Sequence, residues 1–185
     1  MERVKIYGKW HILLALLTGV IMGPLDASIV YIAMPSIAQH FSVDPQTVGW
    51  VSMSYLLVMG SFLLAFGRLG DMFGFRRLYL TGLLLFVTAS AFCGLAPSLG
   101  WLISLRALQA LGAGLTMAMA PAITTATFPP EERGKALGIT GMAVALGLAL
   151  GPSIGGLLAL LAALGLLLAL RVLRPLIRLH AAVLA

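Results

Sequence analysis

From Ala136 to Leu170 the chain carries no charged side chain. A stretch this apolar has few places to go. Buried in a water-soluble core it would need far more protein around it. In lipid it is ordinary, provided every backbone group is satisfied within a helix. Four earlier runs have the same character, at about residues 11–36, 48–66, 78–96 and 101–125. Each is long enough to cross a hydrocarbon core of roughly 30 Å at about 1.5 Å per residue. The whole chain of 185 residues is 61% hydrophobic and only 10% charged. These features define an all-α integral membrane protein and exclude a soluble enzyme.

The polar residues between the runs act as punctuation. In "SVDPQ", Asp44 is placed to cap a helix whose first turn holds Pro45. "FPPEERGK" sets Glu131 and Glu132 near the positive end of the following helix dipole. No cleavable signal peptide is read, because no small-residue cleavage site follows the basic N-terminus closely. The single cysteine, Cys93, lies inside an apolar run and excludes an intrachain disulfide. No His/Cys cluster or phosphate-binding glycine loop appears, so no metal or nucleotide site is expected.

The net charge of +6 is a topology signal rather than a sign of nucleic-acid binding. Arg3, Lys5 and Lys9 precede the first span, Arg68, Arg76 and Arg77 lie between the second and third, and Arg133 and Lys135 precede the fifth. The loops "AQHFSVDPQT" and "APSLG" have neither Lys nor Arg. The positive-inside rule then places the N-terminus in the cytoplasm, in a multi-pass protein of the cell membrane. Trp10, Trp50 and Trp101 fall at span starts, as interfacial aromatics do. Residues 1–10 read as a cytoplasmic N-terminus, 11–170 as the membrane domain and 171–185 as a basic tail. The run 136–170 is one long span or two short ones. Cytoplasmic Arg171, Arg174 and Arg178 favour two, hence six spans; five spans with a basic amphipathic tail is the alternative.

Two charges remain inside the spans, Asp26 and Arg106. Asp26 lies roughly 22 Å above the inner start of its span, and Arg106 roughly 8 Å below the outer start of its own. In a core of about 30 Å these depths nearly coincide. Intramembrane charges mark functional sites by default, with a structural ion pair as the alternative. Gln109 shares a helix face with Arg106 and is a candidate polar neighbour, or a helix–helix hydrogen bond. Tyr31 and Met34, with other methionines, offer an adaptable apolar wall for a substrate path. In "GRLGDMFGFRR", Gly67, Gly70 and Gly74 permit a tight reversal, and Asp71 opposes its helix dipole, which points to a partner in Arg76, Arg77 or a neighbouring helix start. In "GLALGPSIGG", Gly147, Gly151 and Gly155 form a flat packing face, Pro152 kinks the helix, and Gly156 adds to the glycine density.

Taken together, these stretches resemble the major facilitator superfamily, and more narrowly the N-terminal half of its 14-span drug:proton antiporters. "LDASIVYIAMPSIAQHF" resembles the family's first-span motif with Asp26 at its acidic position. "GRLGDMFGFRR" resembles the signature loop, covering Gly67, Asp71, Gly74, Arg76 and Arg77. "RALQALGAG" resembles the fourth-span motif through Arg106, Gln109 and Gly112, with Ala110 in place of the usual glycine. "GPSIGG" resembles the antiporter motif of the fifth span. The resemblance covers residues 10 to about 160. It implies a six-helix half of a transporter, not an enzyme, with protons as coupling ion and no other cofactor. Asp26 and Arg106 become the proton-coupling pair, and the cargo a hydrophobic or cationic drug-like compound.

Family transporters hold cargo between two such halves. A second copy of this chain, or a partner half, is therefore expected to supply the other wall and the surface that Asp71 contacts. The lipid bilayer is the remaining partner. The competing expectation is a non-transporting membrane module, or a truncated fragment that retains the fold. The orientation is checked by labelling. Cysteine placed at Gln46 should react with an impermeant thiol reagent from outside, and cysteine at Phe75 only from inside; the opposite pattern overturns the topology.

Overall fold

The computed structural model describes the backbone of residues 6–183 and the side chains of residues 8–157. Arg3 and Lys5, and the side chains of Arg171, Arg174 and Arg178 in the expected basic tail, lie outside the described residues. Every described element is a helix: α1 (Ile6–Phe41), α2 (Pro45–Phe73), α3 (Phe75–Cys93), α4 (Leu99–Thr127) and α5 (Pro130–Val183). All five contain a segment long and apolar enough to cross a membrane. The expected sixth helix is not a separate element among the described residues, because α5 continues from Pro130 to Val183. The Leu- and Ala-rich run after Gly156 favours helix, and the helix continues through Gly165.

Helix ends follow local chemistry. Thr47 donates to the Asp44 carboxylate twice, from its backbone N–H at 2.9 Å and its hydroxyl at 2.6 Å. Those bonds, the hydroxyl's foremost, hold the Asp44 carboxyl below the usual carboxylate range. Ser98 caps α4 by accepting from Trp101 N–H at 3.4 Å. Glu131 and Glu132 occupy the first turn of α5. Between α2 and α3 a single residue, Gly74, turns the chain at φ +89°, a conformation that glycine takes without a Cβ penalty.

The hub is α4. Half of its apolar window is buried inside the protein, against 22% for each of the other four. Helices α2 and α3 pack along it, while α1 packs chiefly on α5 and touches α2 and α4. The hub works because its buried face is made of small residues, among them Ala110, Gly112, Ala113 and Gly114. At the α3 contact the two backbones nearly touch. A Cβ on Gly112 would stand 2.6 Å from the Phe86 nitrogen and 2.7 Å from the Gly82 carbonyl.

The α1–α5 seam repeats this device. Ala136, Thr140, Ala143, Gly147, Gly151 and Gly155 are buried at helical spacing along one face of α5. A Cβ on Gly147 would lie 2.9 Å from the Ile21 carbonyl, and one on Gly151 would strike the Ser28 side chain and stand 3.1 Å from the Leu25 carbonyl. The "GPSIGG" motif therefore divides between two faces. Gly151 and Gly155 meet α1, whereas Pro152 and Gly156 are exposed and Gly156 has nothing within 4 Å of a built Cβ.

Basic residues gather at one end. Lys9 of α1 pairs with Glu132 of α5 at 2.6 Å, Trp10 meets Phe128 edge-on at 5.3 Å, and Lys135 lies 5.5 Å from the Trp10 ring. The outer faces carry exposed apolar side chains such as Leu64, Leu84 and Leu95, as surfaces in contact with acyl chains do. Because the seam leaves no room for a Cβ at Gly151, Gly151→Leu should lower stability by about 1–3 kcal/mol or prevent assembly, while Gly156→Leu should be nearly silent. Thermal unfolding of both variants in detergent checks this, and equal tolerance at the two positions contradicts the seam.

Candidate functional site

Asp26 projects from α1 and Arg106 from α4, and the structure puts them in contact. Arg106 Nη1 donates to Asp26 Oδ2 at 2.5 Å and to Gln109 Oε1 at 2.6 Å; Gln109 Nε2 donates to Asp26 Oδ1 at 3.1 Å. The three side chains close a triangle. Gln109 can serve both partners because its amide presents an acceptor to the cation and a donor to the anion. It reaches them because it lies three residues after Arg106 on the same helix face.

Burial within the triangle is unequal. Arg106 and Gln109 are 2% and 1% exposed, and the Asp26 side chain keeps 20% of its accessibility against 3% for that of Arg106. A guanidinium stays charged in a protein. Arg106 is thus an enclosed positive charge, and Asp26 is the more accessible partner.

Two further side chains belong to the site. The Tyr55 ring of α2 lies 4.4 Å from the Arg106 guanidinium carbon, a cation–π contact in a desolvated place. The Cys93 thiol of α3 lies 4.0 Å from Gln109 Oε1. Four helices therefore converge on one charge. Neither Tyr55 nor Cys93 was expected from the sequence. A tyrosine inside an apolar span was the available signal for Tyr55, since a buried phenol calls for a polar partner. Nothing comparable marks Cys93. Ser52 Oγ, Tyr55 Oη and Arg106 Nε are buried without a hydrogen-bond partner among the described residues.

The other expected residues fall elsewhere. Tyr31 is exposed and outside the network. Met34, partly buried, packs against an apolar cluster with Val48, Val51 and Leu102 and is not part of the network. Asp71 does not pair with Arg76 or Arg77: all three are exposed, and no ion pair joins them among the described residues. They sit on different helices separated by the Gly74 turn, and an exposed pair gains little in high dielectric. Of the loop glycines, Gly74 makes the turn, Gly70 is tight against Phe75 and Met119, and Gly67 faces open space. No group of three or more His, Cys, Asp or Glu side chains able to hold a metal occurs among the described residues.

Among the described residues, one ion pair lies in the interior of this multi-pass helical bundle, on its central helix. The sequence model described as Major Facilitator Superfamily matches residues 16–178. The chain belongs to that superfamily of transporters. It is 43% identical over 150 residues to the riboflavin transporter RibZ of Clostridioides difficile (strain 630), covering 81% of this chain and 33% of that protein. It is 40% identical over 141 residues to the multidrug resistance protein Stp of Mycobacterium tuberculosis, covering 76% and 26%. With the tetracenomycin C resistance and export protein of Streptomyces glaucescens it shares 40% identity over 149 residues, covering 80% and 28%. The chain thus aligns with between 26% and 33% of these relatives' length.

Removing one member of a buried pair strands the other. Arg106→Gln should destabilise the bundle by about 3 kcal/mol. Combining it with Asp26→Asn should cost less than the sum of the two single changes. Denaturant titration of the three variants measures that coupling, and strict additivity would remove the pair from the stability of the fold.

Proposed function

We propose that this chain forms one wall of a proton-coupled exporter, with Asp26 as the proton carrier. The observation that carries the reading is the unequal burial of the ion pair: an accessible carboxylate set against an enclosed, permanent cation. Charged, Asp26 binds α1 to α4 through Arg106 and Gln109. A proton on the carboxylate cancels the ion pair. Arg106 keeps Gln109 Oε1 and the Tyr55 face, and α1 is released to move along its glycine seam on α5. Cargo and proton then exchange as the two states alternate.

The basic end, with Lys9, Arg76, Arg77, Arg133 and Lys135, faces the cytoplasm in this reading. Protons enter from the far side and leave to the cytoplasm while cargo travels outward. The cargo is hydrophobic or cationic and drug-like; relatives named for multidrug resistance and for tetracenomycin C export support that range. A second copy, or a partner half, supplies the opposite wall, and cross-linking in mild detergent should trap the assembly. Protons are the coupling ion, and no other cofactor is required.

Efflux of a cationic dye from vesicles tests the proposal. Wild-type chain should export it only under a proton gradient. Asp26→Asn should abolish this while inserting normally, and Asp26→Asn with Arg106→Gln should regain stability without regaining transport. Full gradient-driven efflux by Asp26→Asn would return the pair to a purely structural role.

A further inference from the structure

Beside the ion pair lies a cleft of about 210 Å³, bounded by α1, α2, α4 and α5. Its walls include Gly23, Tyr55, Met59, Ala113 and Val144. Leu56, Met117 and Leu148 also line it and are exposed, so they form its mouth. No charged side chain lines it. Thr116, on the wall, spends its hydroxyl on the Ala113 carbonyl at 2.8 Å. The remaining side-chain hydroxyl is that of Tyr55. This residue is 2% exposed, and its hydroxyl has no partner among the described residues. That hydroxyl stands at the α1 wall, where a Cβ on Gly23 would come within 3.4 Å of it.

An unpaired buried phenol beside an apolar space is costly unless something meets it. We propose that this cleft is a ligand site for a neutral, mainly aromatic compound carrying a single hydroxyl or carbonyl, held by one hydrogen bond to Tyr55 Oη. Size supports the choice. An apolar cavity of about 150 Å³ takes a benzene ring, and this one has room for two fused rings. Charge supports it too, since a cation would enter an apolar cleft with no acid on its walls and with Arg106 behind the Tyr55 ring. Met59 gives the wall an adaptable surface.

The site deepens the proposed export by naming a neutral class within its hydrophobic cargo range, with cationic cargo left to other walls of the path, and it rests on that reading only for the cargo's direction of travel. Its position also links the two events. One ligand atom would touch the Tyr55 hydroxyl, and the same ring lies against Arg106, which holds Asp26.

The test uses the full chain in lipid nanodiscs, with 1-naphthol and naphthalene as probes and protein-free nanodiscs as the partition control. Calorimetric titration should show saturable binding of one 1-naphthol per site, tighter than that of naphthalene. Tyr55→Phe keeps the ring on Arg106 and deletes the hydroxyl. It should weaken 1-naphthol about two- to tenfold, the worth of one hydrogen bond, and leave naphthalene unchanged. Gly23→Ala meets only van der Waals contacts and so should fold; its methyl crowds the hydroxyl and should also reduce 1-naphthol binding. Uptake that never saturates, or saturable binding indifferent to both variants, overturns the site and leaves the cleft to acyl chains. Equilibrium binding needs no gradient. The ligand site can therefore fail while Asp26-dependent efflux stands, and the reverse.

Discussion

The positive charge of Arg106 is the constraint around which the bundle is organised. A guanidinium keeps its charge in a protein, and this one is enclosed by protein within an apolar helix. A lone arginine at the centre of a membrane helix costs about 2.5–3.5 kcal/mol even on insertion scales. The fold meets this with contributions from other helices: Asp26 from α1 and the Tyr55 ring from α2, besides Gln109 on α4 itself. To bring several helices to one point, α4 must allow close approach on more than one side. That requirement explains the run Ala110, Gly112, Ala113, Gly114 on its buried face, where larger side chains would hold the helices apart.

Helix α1 serves two neighbours at once. Asp26 reaches toward α4, while Leu25, Ser28 and Ile29 meet the glycine seam of α5. Ser28 joins these duties, donating to the Pro24 carbonyl at 2.8 Å within α1 and lying 3.4 Å from the Gly147 carbonyl of α5. Pro24 sits in the same turn and removes one backbone hydrogen bond from the helix there. The polar anchor and the smooth seam therefore lie on adjoining faces of one helix, beside its locally weakened turn. The contact with α4 is strong and specific; the contact with α5 is close and without side-chain knobs.

Much of this was legible in the residues. Apolar runs marked the five helices, since each run must bury its backbone polarity in a helix. The sixth was inferred from arginines in the tail, and charge speaks to sidedness rather than to where a helix breaks; the Leu- and Ala-rich run after Gly156 favours continued helix. Asp26 and Arg106 could be matched by depth alone, because rise per residue is fixed. Tyr55 could not be placed that way, for an aromatic in a span looks like packing until its neighbours are known. The close contact of Gly82 with Gly112 was hidden for the same reason. For Asp71 the sequence offered Arg76 and Arg77 as partners, yet at an exposed helix end such a pair gains little and neither one forms among the described residues.

In the proposed cycle the asymmetry of the pair determines which helix moves. With Asp26 charged, separating α1 from α4 would leave two unpaired charges in low dielectric, a loss of several kcal/mol. With Asp26 neutral, separation leaves only Arg106, and Arg106 does not travel alone. Gln109 lies on the same helix and moves with it, and Tyr55 faces it from α2, which packs along α4. The compensating groups that remain thus belong to the hub side. The departing carboxylic acid is small, neutral and the more accessible of the two partners. Toward α5 its helix faces Gly147, Gly151 and Gly155, which offer no side chains to interlock. In the proposed cycle α4 is accordingly the stationary element and α1 the mobile one, and the proton acts by removing the charged contact between them.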